Sequence, residues 1–286
     1  MINDFKEKLS RNGVVNIPGV IDPELISRAI LATNRAIEQV PEEDVLRDAN
    51  GKVRKLCYAF DKGDVFLDIL SHPRIIHILK RLYGSDVGMI VPTWEDVLIK
   101  EPDGGVRVGI HQDLGLQSVT RGDVFSLAIH FHDCTDNPVF FYEGSHQLGP
   151  LTREDIQNCL DKNLYVPYPS KAGDVDIHNV LTLHYSEMNK SYYPRYTWYL
   201  EFRTMDQILA DSPWDERWAL SRQVILFHAI EERKRMGMDY EEIDFARASH
   251  LAEYIKNLNL RVPHVSSTVS YSDNEYNHFA DHDTLF

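Results

Sequence analysis

Apolar residues recur along this chain with two different periods, and the places where the period changes divide it. After a turn, a short strand and a second turn over residues 10–22, Leu25, Ile26, Ala29, Ile30 and Ala32 follow helical spacing up to about Val40. Asp22 stands where an N-cap belongs and Pro23 takes the first helical position, so the helix is expected to start there. A second helix is expected from Ile75 to Tyr83, and both should pack outside a sheet. From Met89 to Arg203 the period becomes two, in short runs broken by Gly, Pro and Asp, the pattern of strands in a sandwich or barrel. In the run 94–100, Trp94, Asp96, Leu98 and Lys100 share one face and Glu95, Val97 and Ile99 the other; in 195–203, Arg195, Thr197 and Tyr199 oppose Tyr196, Trp198, Leu200 and Phe202. A polar inner face backed by an apolar outer face that helices can cover fits a barrel with a cavity better than a solid apolar core. Helical character returns from Met205 to about Leu260, including Trp214 to Trp218 and Val224 to Met236, and residues 262–286 read as an irregular tail. The expected class is therefore mainly β with flanking helices: residues 1–204 form the core with its N-terminal helices, and 205–286 a helical extension and tail packed on the same domain.

Composition changes this picture little. The chain of 286 residues is long enough for one large domain. Its net charge of −14 argues against a nucleic-acid-binding surface, which needs a concentration of Lys and Arg. Residues 1–13 carry charges throughout and lack the apolar core of a signal peptide, and no later stretch approaches a membrane span. The expectation is a cytoplasmic protein that acts on a small molecule without membrane or nucleic acid, as a monomer or homodimer. Cys57, Cys134 and Cys159 are odd in number and have no Cys-x-x-Cys spacing, so they read as reduced, mostly buried thiols rather than a disulfide framework or zinc site.

Candidate chemistry centres on His111, Asp113, His184 and Arg195. His111 and Asp113 are two apart, so on an extended segment both side chains point the same way and can reach one ion. With a second imidazole they would complete the two-histidine, one-carboxylate face of non-heme Fe(II) oxygenases, which leaves the remaining positions open. His-x-Asp alone is weak evidence in a chain with 13 histidines and 44 acidic residues. The context strengthens it: an opening glycine turn with a short strand (residues 12–19), HQD at 111–113, GSHQLG at 144–149, AGDV at 172–175, and an H-x-S-x-x-N-x-S-x-x-x-R run from 184 to 195.

In these pieces, taken in order over roughly residues 10–203, the chain resembles the phytanoyl-CoA dioxygenase family of Fe(II)- and 2-oxoglutarate-dependent oxygenases. The resemblance implies a double-stranded β-helix, or jelly roll, with His111, Asp113 and His184 binding iron and Arg195 gripping the distal carboxylate of 2-oxoglutarate. A planar, permanently charged two-pronged donor suits that carboxylate, and Arg195 lies on the polar face of its strand beside Thr197. Ser186 is the expected helper, with Lys100 lining the same cavity. Trp94, Gln112, His130 and His132 are the candidates for substrate contact. His178 is the rival of His184 as third ligand, but its separation from Arg195 is longer than the family pattern allows. The cofactors implied are Fe(II), 2-oxoglutarate and O2, with release of succinate and CO2, and hydroxylation of a metabolite or natural-product intermediate is the leading outcome. Asp113 favours that outcome, because halogenating relatives need a vacated carboxylate position. The alternatives are a non-catalytic jelly-roll protein and a cupin-type metal protein that does not use 2-oxoglutarate.

Two departures from the family pattern stand out: Glu143 precedes Gly144-Ser-His where proline is commoner, and Tyr185 follows the distal histidine where glycine is commoner. The blander readings assign His146 to turn hydrogen bonds, Trp214 and Trp218 to helix packing, and the acidic runs at 231–235 and 240–244 to solvated helix faces. His130 and His132 share a face of the run 125–132 and could alternatively be simply solvated. Tyr271, Tyr276 and Phe279 in the tail could close the cavity or serve a subunit contact.

Overall fold

The computed structural model describes residues 5–48, 50–102, 107–113, 124–162, 164–211 and 214–245. In chain order the elements are α1 (Phe5–Asn12), β1 (Val14–Ile17), α2 (Pro23–Gln39), β2 (Val45–Arg47), β3 (Val53–Leu56), α3 (Asp64–Leu70), α4 (Pro73–Tyr83), β4 (Ile90–Lys100), β5 (Val108–His111), β6 (Phe125–His130) and β7 (Val139–Tyr142). They continue with α5 (Arg153–Lys162), β8 (Tyr165–Tyr168), β9 (Val175–Asn179), β10 (His184–Ser186), β11 (Arg195–Thr204), α6 (Met205–Asp211) and α7 (Glu216–Arg235). A seven-stranded sheet in the order β1-β9-β6-β11-β4-β3-β2 faces a four-stranded sheet in the order β5-β10-β7-β8. The ladders are antiparallel, so the fold is a jelly roll with helices outside its large sheet.

The period-two reading of β4 and β11 matches their pairing. Arg195 lies opposite Lys100, Thr197 opposite Leu98, and Tyr199 opposite Asp96, which puts the polar sets of both strands on one face. The other face carries Val97, Ile99, Trp198 and Leu200, all buried in the main apolar cluster with residues of α3, α4 and α7. Trp198 anchors it. The rings of Phe60 and Phe66 meet it edge-on at 5.9 and 5.1 Å, and its indole N–H donates to the Glu95 carbonyl at 3.1 Å. The charge in this layer, Glu95, is neutralised by the Arg222 guanidinium from α7, and both side chains are fully buried.

α2 begins at Pro23 as expected, yet the Asp22 side chain caps no backbone N–H; its carboxylate lies instead 3.8 Å from Arg74 and 3.7 Å from His72. α4 starts two residues before the expected Ile75, at a proline, because the His72 ring accepts a hydrogen bond from the Arg74 N–H. Three short helices, α1, α3 and α5, lie where no helix was expected. Eight residues or so offer too few turns for an apolar period to stand out. Helix runs through α6 and α7 but stops at Arg235, and residues 236–245 are irregular. The Trp214 and Trp218 rings stack at 4.2 Å, the packing role their spacing implied. The tail residues Tyr271, Tyr276 and Phe279 lie outside the described residues. Among the described residues no helix is long and apolar enough to cross a membrane.

Candidate metal centre and co-substrate pocket

The family-like motifs, scattered in sequence, pack against one another at one end of the jelly roll. Gly13, at φ +78°, is approached so closely that a Cβ there would lie 2.4 Å from Thr182 Oγ1 and 2.5 Å from His146 Nδ1. Its carbonyl accepts from the Asn179 N–H and the Thr182 hydroxyl, each at 2.8 Å. The His146 ring donates to the Ser10 carbonyl at 3.1 Å, and the Ser145 hydroxyl accepts from the Leu183 N–H at 2.8 Å. The glycine turn and the Gly-Ser-His segment thus brace the residues immediately before His184.

β10 pairs with β5 so that His184 is directly opposite His111, and the two rings are 4.3 Å apart. Asp113 is drawn in by its own N–H, which donates to the Val180 carbonyl at 2.8 Å. One nitrogen or oxygen from each of His111, Asp113 and His184 lies within 4.8 Å of the others. Asp113 Oδ1 is 3.2 Å from His111 Nε2 and 3.7 Å from His184 Nε2.

The ring protons can be assigned from the partners. His111 Nδ1 is 2.8 Å from the Gly109 carbonyl and His184 Nδ1 is 2.8 Å from the Thr182 carbonyl. A carbonyl only accepts, so both Nδ1 atoms carry hydrogen and each ring turns its Nε2 toward Asp113, the orientation metal-ligating histidines use. Burial lowers His111, but the hydrogen bond and charge of Asp113 outweigh it and raise its pKa. Burial, together with His111 nearby, lowers His184 to about 3, which keeps its imidazole neutral. Burial by itself would raise Asp113, but the surrounding His184, His111 and His178 outweigh it and hold the carboxyl well below the usual range. Two imidazoles with Nε2 turned toward one carboxylate form a donor set suited to a divalent iron ion.

His178, the rival ligand, is deployed differently. Its Nε2 lies 2.8 Å from Asp113 Oδ2, so it donates to the carboxylate.

The second half of the site is joined to the first through β10. Two residues past His184, the Ser186 hydroxyl accepts from Lys100 Nζ at 2.8 Å, and Lys100 is the cross-strand partner of Arg195. Lys100 also donates to the Glu187 carbonyl, and Arg195 Nη1 to the Asn137 carbonyl and, at 3.1 Å, to its side-chain oxygen. Both cations are buried, and neither forms an ion pair with a carboxylate among the described residues. Burial, and then the Arg195 charge, hold Lys100 well below the usual lysine range. Arg195 Nη2 is buried with no hydrogen-bond partner among the described residues. A buried guanidinium N–H without a partner among the described residues, beside the buried Lys100, suits an anionic group such as a carboxylate. The Tyr199 phenol links the two halves: burial raises its pKa, Arg195 lowers it and Asp113 raises it again, so the ring lies in the field of both.

The other expected contacts fall differently. Trp94 retains partial exposure on the inner face, as do Leu98, Tyr199 and Glu201, while the outer-face residues between them are buried, so the space open to solvent lies between the sheets. Thr197 is buried with its hydroxyl 3.5 Å from His130 Nδ1. Gln112 is a staple rather than a free amide: it donates to the Gly149 and Leu181 carbonyls and accepts from the Leu151 N–H. His130 is fully buried, with Nε2 2.8 Å from Asp176 and Nδ1 3.3 Å from the Cys134 sulfur, so both nitrogens are engaged within the protein. His132 does not share its face; it lies past the end of β6, 4.9 Å from the outer-face Tyr196 ring, and accepts from the Tyr196 N–H. Sequence reasoning also missed Asp96 and Lys55, a buried inner-face ion pair at 2.8 Å whose lysine lies 4.8 Å from the Trp94 ring centroid. Alternation placed Asp96 on that face, but Lys55 comes from a strand too short to be read from period.

Both departures from the family pattern have a place. Tyr185 points away from the centre, as alternation from His184 requires, and stacks on Phe140 at 4.9 Å in a small apolar cluster under α5. Glu143 accepts a hydrogen bond from the Tyr168 hydroxyl.

The fold is a jelly roll, and it brings two imidazoles and a carboxylate together in a group that could hold a metal ion. Comparison with known proteins carries the assignment further. Residues 9–197 match the model of the phytanoyl-CoA dioxygenase (PhyH) family, and the chain belongs to that family. A rat protein, phytanoyl-CoA dioxygenase domain-containing protein 1, is 26% identical over 168 residues, which are 52% of this chain and 57% of the relative's length. Among solved structures, the non-heme alpha ketoglutarate dependent epimerase SnoN from nogalamycin biosynthesis aligns with a TM-score of 0.58 and 22% identity over 71% of this chain and 82% of its own. EctD from S. alaskensis, solved with 2-oxoglutarate and 5-hydroxyectoine, aligns with a TM-score of 0.61 and 14% identity over 70% of this chain and 74% of its own. The carbocyclase SnoK aligns with a TM-score of 0.58 and 21% identity over 70% of this chain and 85% of its own. At these identities the solved structures establish the shared fold.

Proposed function

We propose that this protein is an Fe(II)- and 2-oxoglutarate-dependent dioxygenase that hydroxylates a small-molecule metabolite or natural-product intermediate. The observation that carries the reading is the connected pair of sites. His184 and Ser186 share one short strand, and Ser186 leads through Lys100 to the orphaned guanidinium of Arg195. In this reading His111, Asp113 and His184 hold the iron through Nε2, Oδ1 and Nε2, and Arg195 with Lys100 and Ser186 binds the distal carboxylate of 2-oxoglutarate. When bound, iron and 2-oxoglutarate supply the oxidising chemistry, consuming O2 and releasing succinate and CO2. The protein's own residues then hold, orient and exclude water. Thr197 and His130 form the buried floor beside Arg195, Phe141 covers the His184 ring at 5.3 Å, and Trp94, Leu98 and Tyr199 wall the open space where a substrate would lie.

Hydroxylation is favoured because the Asp113 carboxylate occupies the position that a chloride-transferring site would need vacant. The test is an anaerobic titration of purified protein with Fe(II) and then 2-oxoglutarate, following the visible absorption of the chelate in wild type, His184→Ala and Arg195→Ala. A band that requires both side chains is expected, with the Arg195 variant needing at least about tenfold more 2-oxoglutarate for the loss of a buried charge-assisted pair. Metal binding without any band in wild type would instead favour a metal-binding jelly roll that does not use 2-oxoglutarate. Succinate release across a panel of small molecules then identifies the substrate and the reaction.

A further inference from the structure

Of the three histidines around Asp113, two have a backbone carbonyl on Nδ1 and one does not. His178 stands on β9 in the large sheet, 1% exposed, opposite Ser126 of β6 and Val14 of β1. Asp113 comes from the small-sheet side, just past the end of β5, and its backbone N–H is held by Val180, two residues beyond His178. The His178–Asp113 hydrogen bond therefore bridges the two sheets at the candidate metal centre. The Phe141 ring packs 5.4 Å from His178, and His178 Nδ1 is buried with no hydrogen-bond partner among the described residues. The carboxylate accepts from His178 Nε2. His178 is set apart from His111 and His184 by meeting Oδ2 rather than Oδ1 and by having no backbone carbonyl on Nδ1.

The consequence falls on the carboxylate. Oδ2 is taken by His178, while Oδ1 faces the Nε2 atoms of His111 and His184. We infer that His178 is a positioning residue that restricts Asp113 to one ligating oxygen, and so preserves the open coordination position that the reaction needs. A divalent ion held by two imidazoles and one carboxylate oxygen would keep positions open for a chelating keto acid and O2 together. If Asp113 rotated to ligate through both oxygens, the chelating acid would fill what remained and O2 would find no place. The inference rests on the reading of His111, Asp113 and His184 as ligands. It adds a device that the ligand set alone does not supply.

The test compares full-length wild type with His178→Gln, whose amide N–H can reach the carboxylate, and His178→Asn, a similarly polar side chain too short to do so. His178→Leu and His184→Ala serve as extremes, with circular dichroism and melting curves checking the fold. Two readouts are independent of turnover: the Fe(II) dissociation constant measured anaerobically, and the electron paramagnetic resonance signal of nitric oxide bound to the Fe(II)–2-oxoglutarate complex, which reports an open position. The expected result is roughly 10–100-fold weaker Fe(II) binding in His178→Asn, the usual effect of losing a ligand's supporting partner. Its nitric oxide signal should be reduced even at saturating Fe(II), and both values should largely recover in His178→Gln. A folded His178→Asn that binds Fe(II) within about twofold of wild type and takes up nitric oxide equally would overturn the inference. Loss of Fe(II) binding as complete as in His184→Ala, unrescued by Gln, would make His178 a ligand and overturn it as well. If His178→Leu fails to fold, the Asn and Gln pair still decides. A wild type that binds no Fe(II) would instead strike the proposed function itself.

Discussion

The two faces of β4 and β11 are made by the same ten or eleven residues per strand and do opposite work. On the outer face Val97, Ile99, Trp198 and Leu200 are sealed under helices, and the charge there, Glu95, is matched by Arg222. On the inner face Lys100 and Arg195 are buried without a carboxylate ion-pair partner among the described residues, and Trp94, Leu98 and Tyr199 keep some exposure to the space between the sheets. The outer face pairs its charge with a cation from a helix. The inner face leaves Arg195 Nη2 without a hydrogen-bond partner among the described residues. One pleated strand can serve both ends because successive side chains point to opposite sides.

The contrast can be broken most sharply at its extremes. Asp113→Ala should abolish Fe(II)-dependent succinate production, a loss of several orders of magnitude, while leaving the melting temperature near that of wild type. Retained turnover would remove Asp113 from the ligand set. Trp198→Ala should do the reverse. Truncating a large buried aromatic costs about 3–5 kcal/mol of stability, seen as a lower denaturant midpoint, but the protein that remains folded should bind Fe(II) and 2-oxoglutarate normally. A selective loss of cofactor affinity in that variant would show that the two faces are not separable.

A smaller effect sharpens the comparison from within the inner face. His130 is pulled down by burial, but the charge and hydrogen bond of Asp176, with Cys134, raise it from 6.5 to about 10. Because the folded-state value is the higher one, this pair stabilises the fold fully below pH 6.5 and the contribution is lost as pH rises toward 10. The melting temperature of wild type should therefore fall across that interval more steeply than that of His130→Gln, and parallel curves would show that the buried pair does not titrate as described.

Much of the fold was legible from local pattern. Alternation alone assigned Arg195, Thr197, Tyr199, Asp96 and Lys100 to one face, and the pairing of β11 with β4 agrees. The helices α2 and α4 were readable because they are long enough to show an apolar stripe and begin at a proline. α1, α3 and α5 were not, since so few turns leave a stripe and a strand indistinguishable.

The site divides in the same way. His-x-Asp was visible because alternation turns both side chains the same way on an extended segment, and His184 and Arg195 were visible through the family resemblance of the motifs around them. What the other polar side chains do was decided only when distant segments met. Gln112 looked free until the Gly149 and Leu181 carbonyls arrived beside it, and His130 looked available until Asp176 and Cys134 enclosed it. His178 and His184 are both buried strand histidines beside Asp113, and in the sequence only the separation from Arg195 in the family-like pattern told them apart. In the fold the Thr182 carbonyl takes the Nδ1 proton of His184, while His178 turns its Nε2 to the Asp113 carboxylate. The chain by itself determined which side chains face inward, because that depends on backbone period; the fold decided which way each ring nitrogen turns, because that depends on the partner it meets.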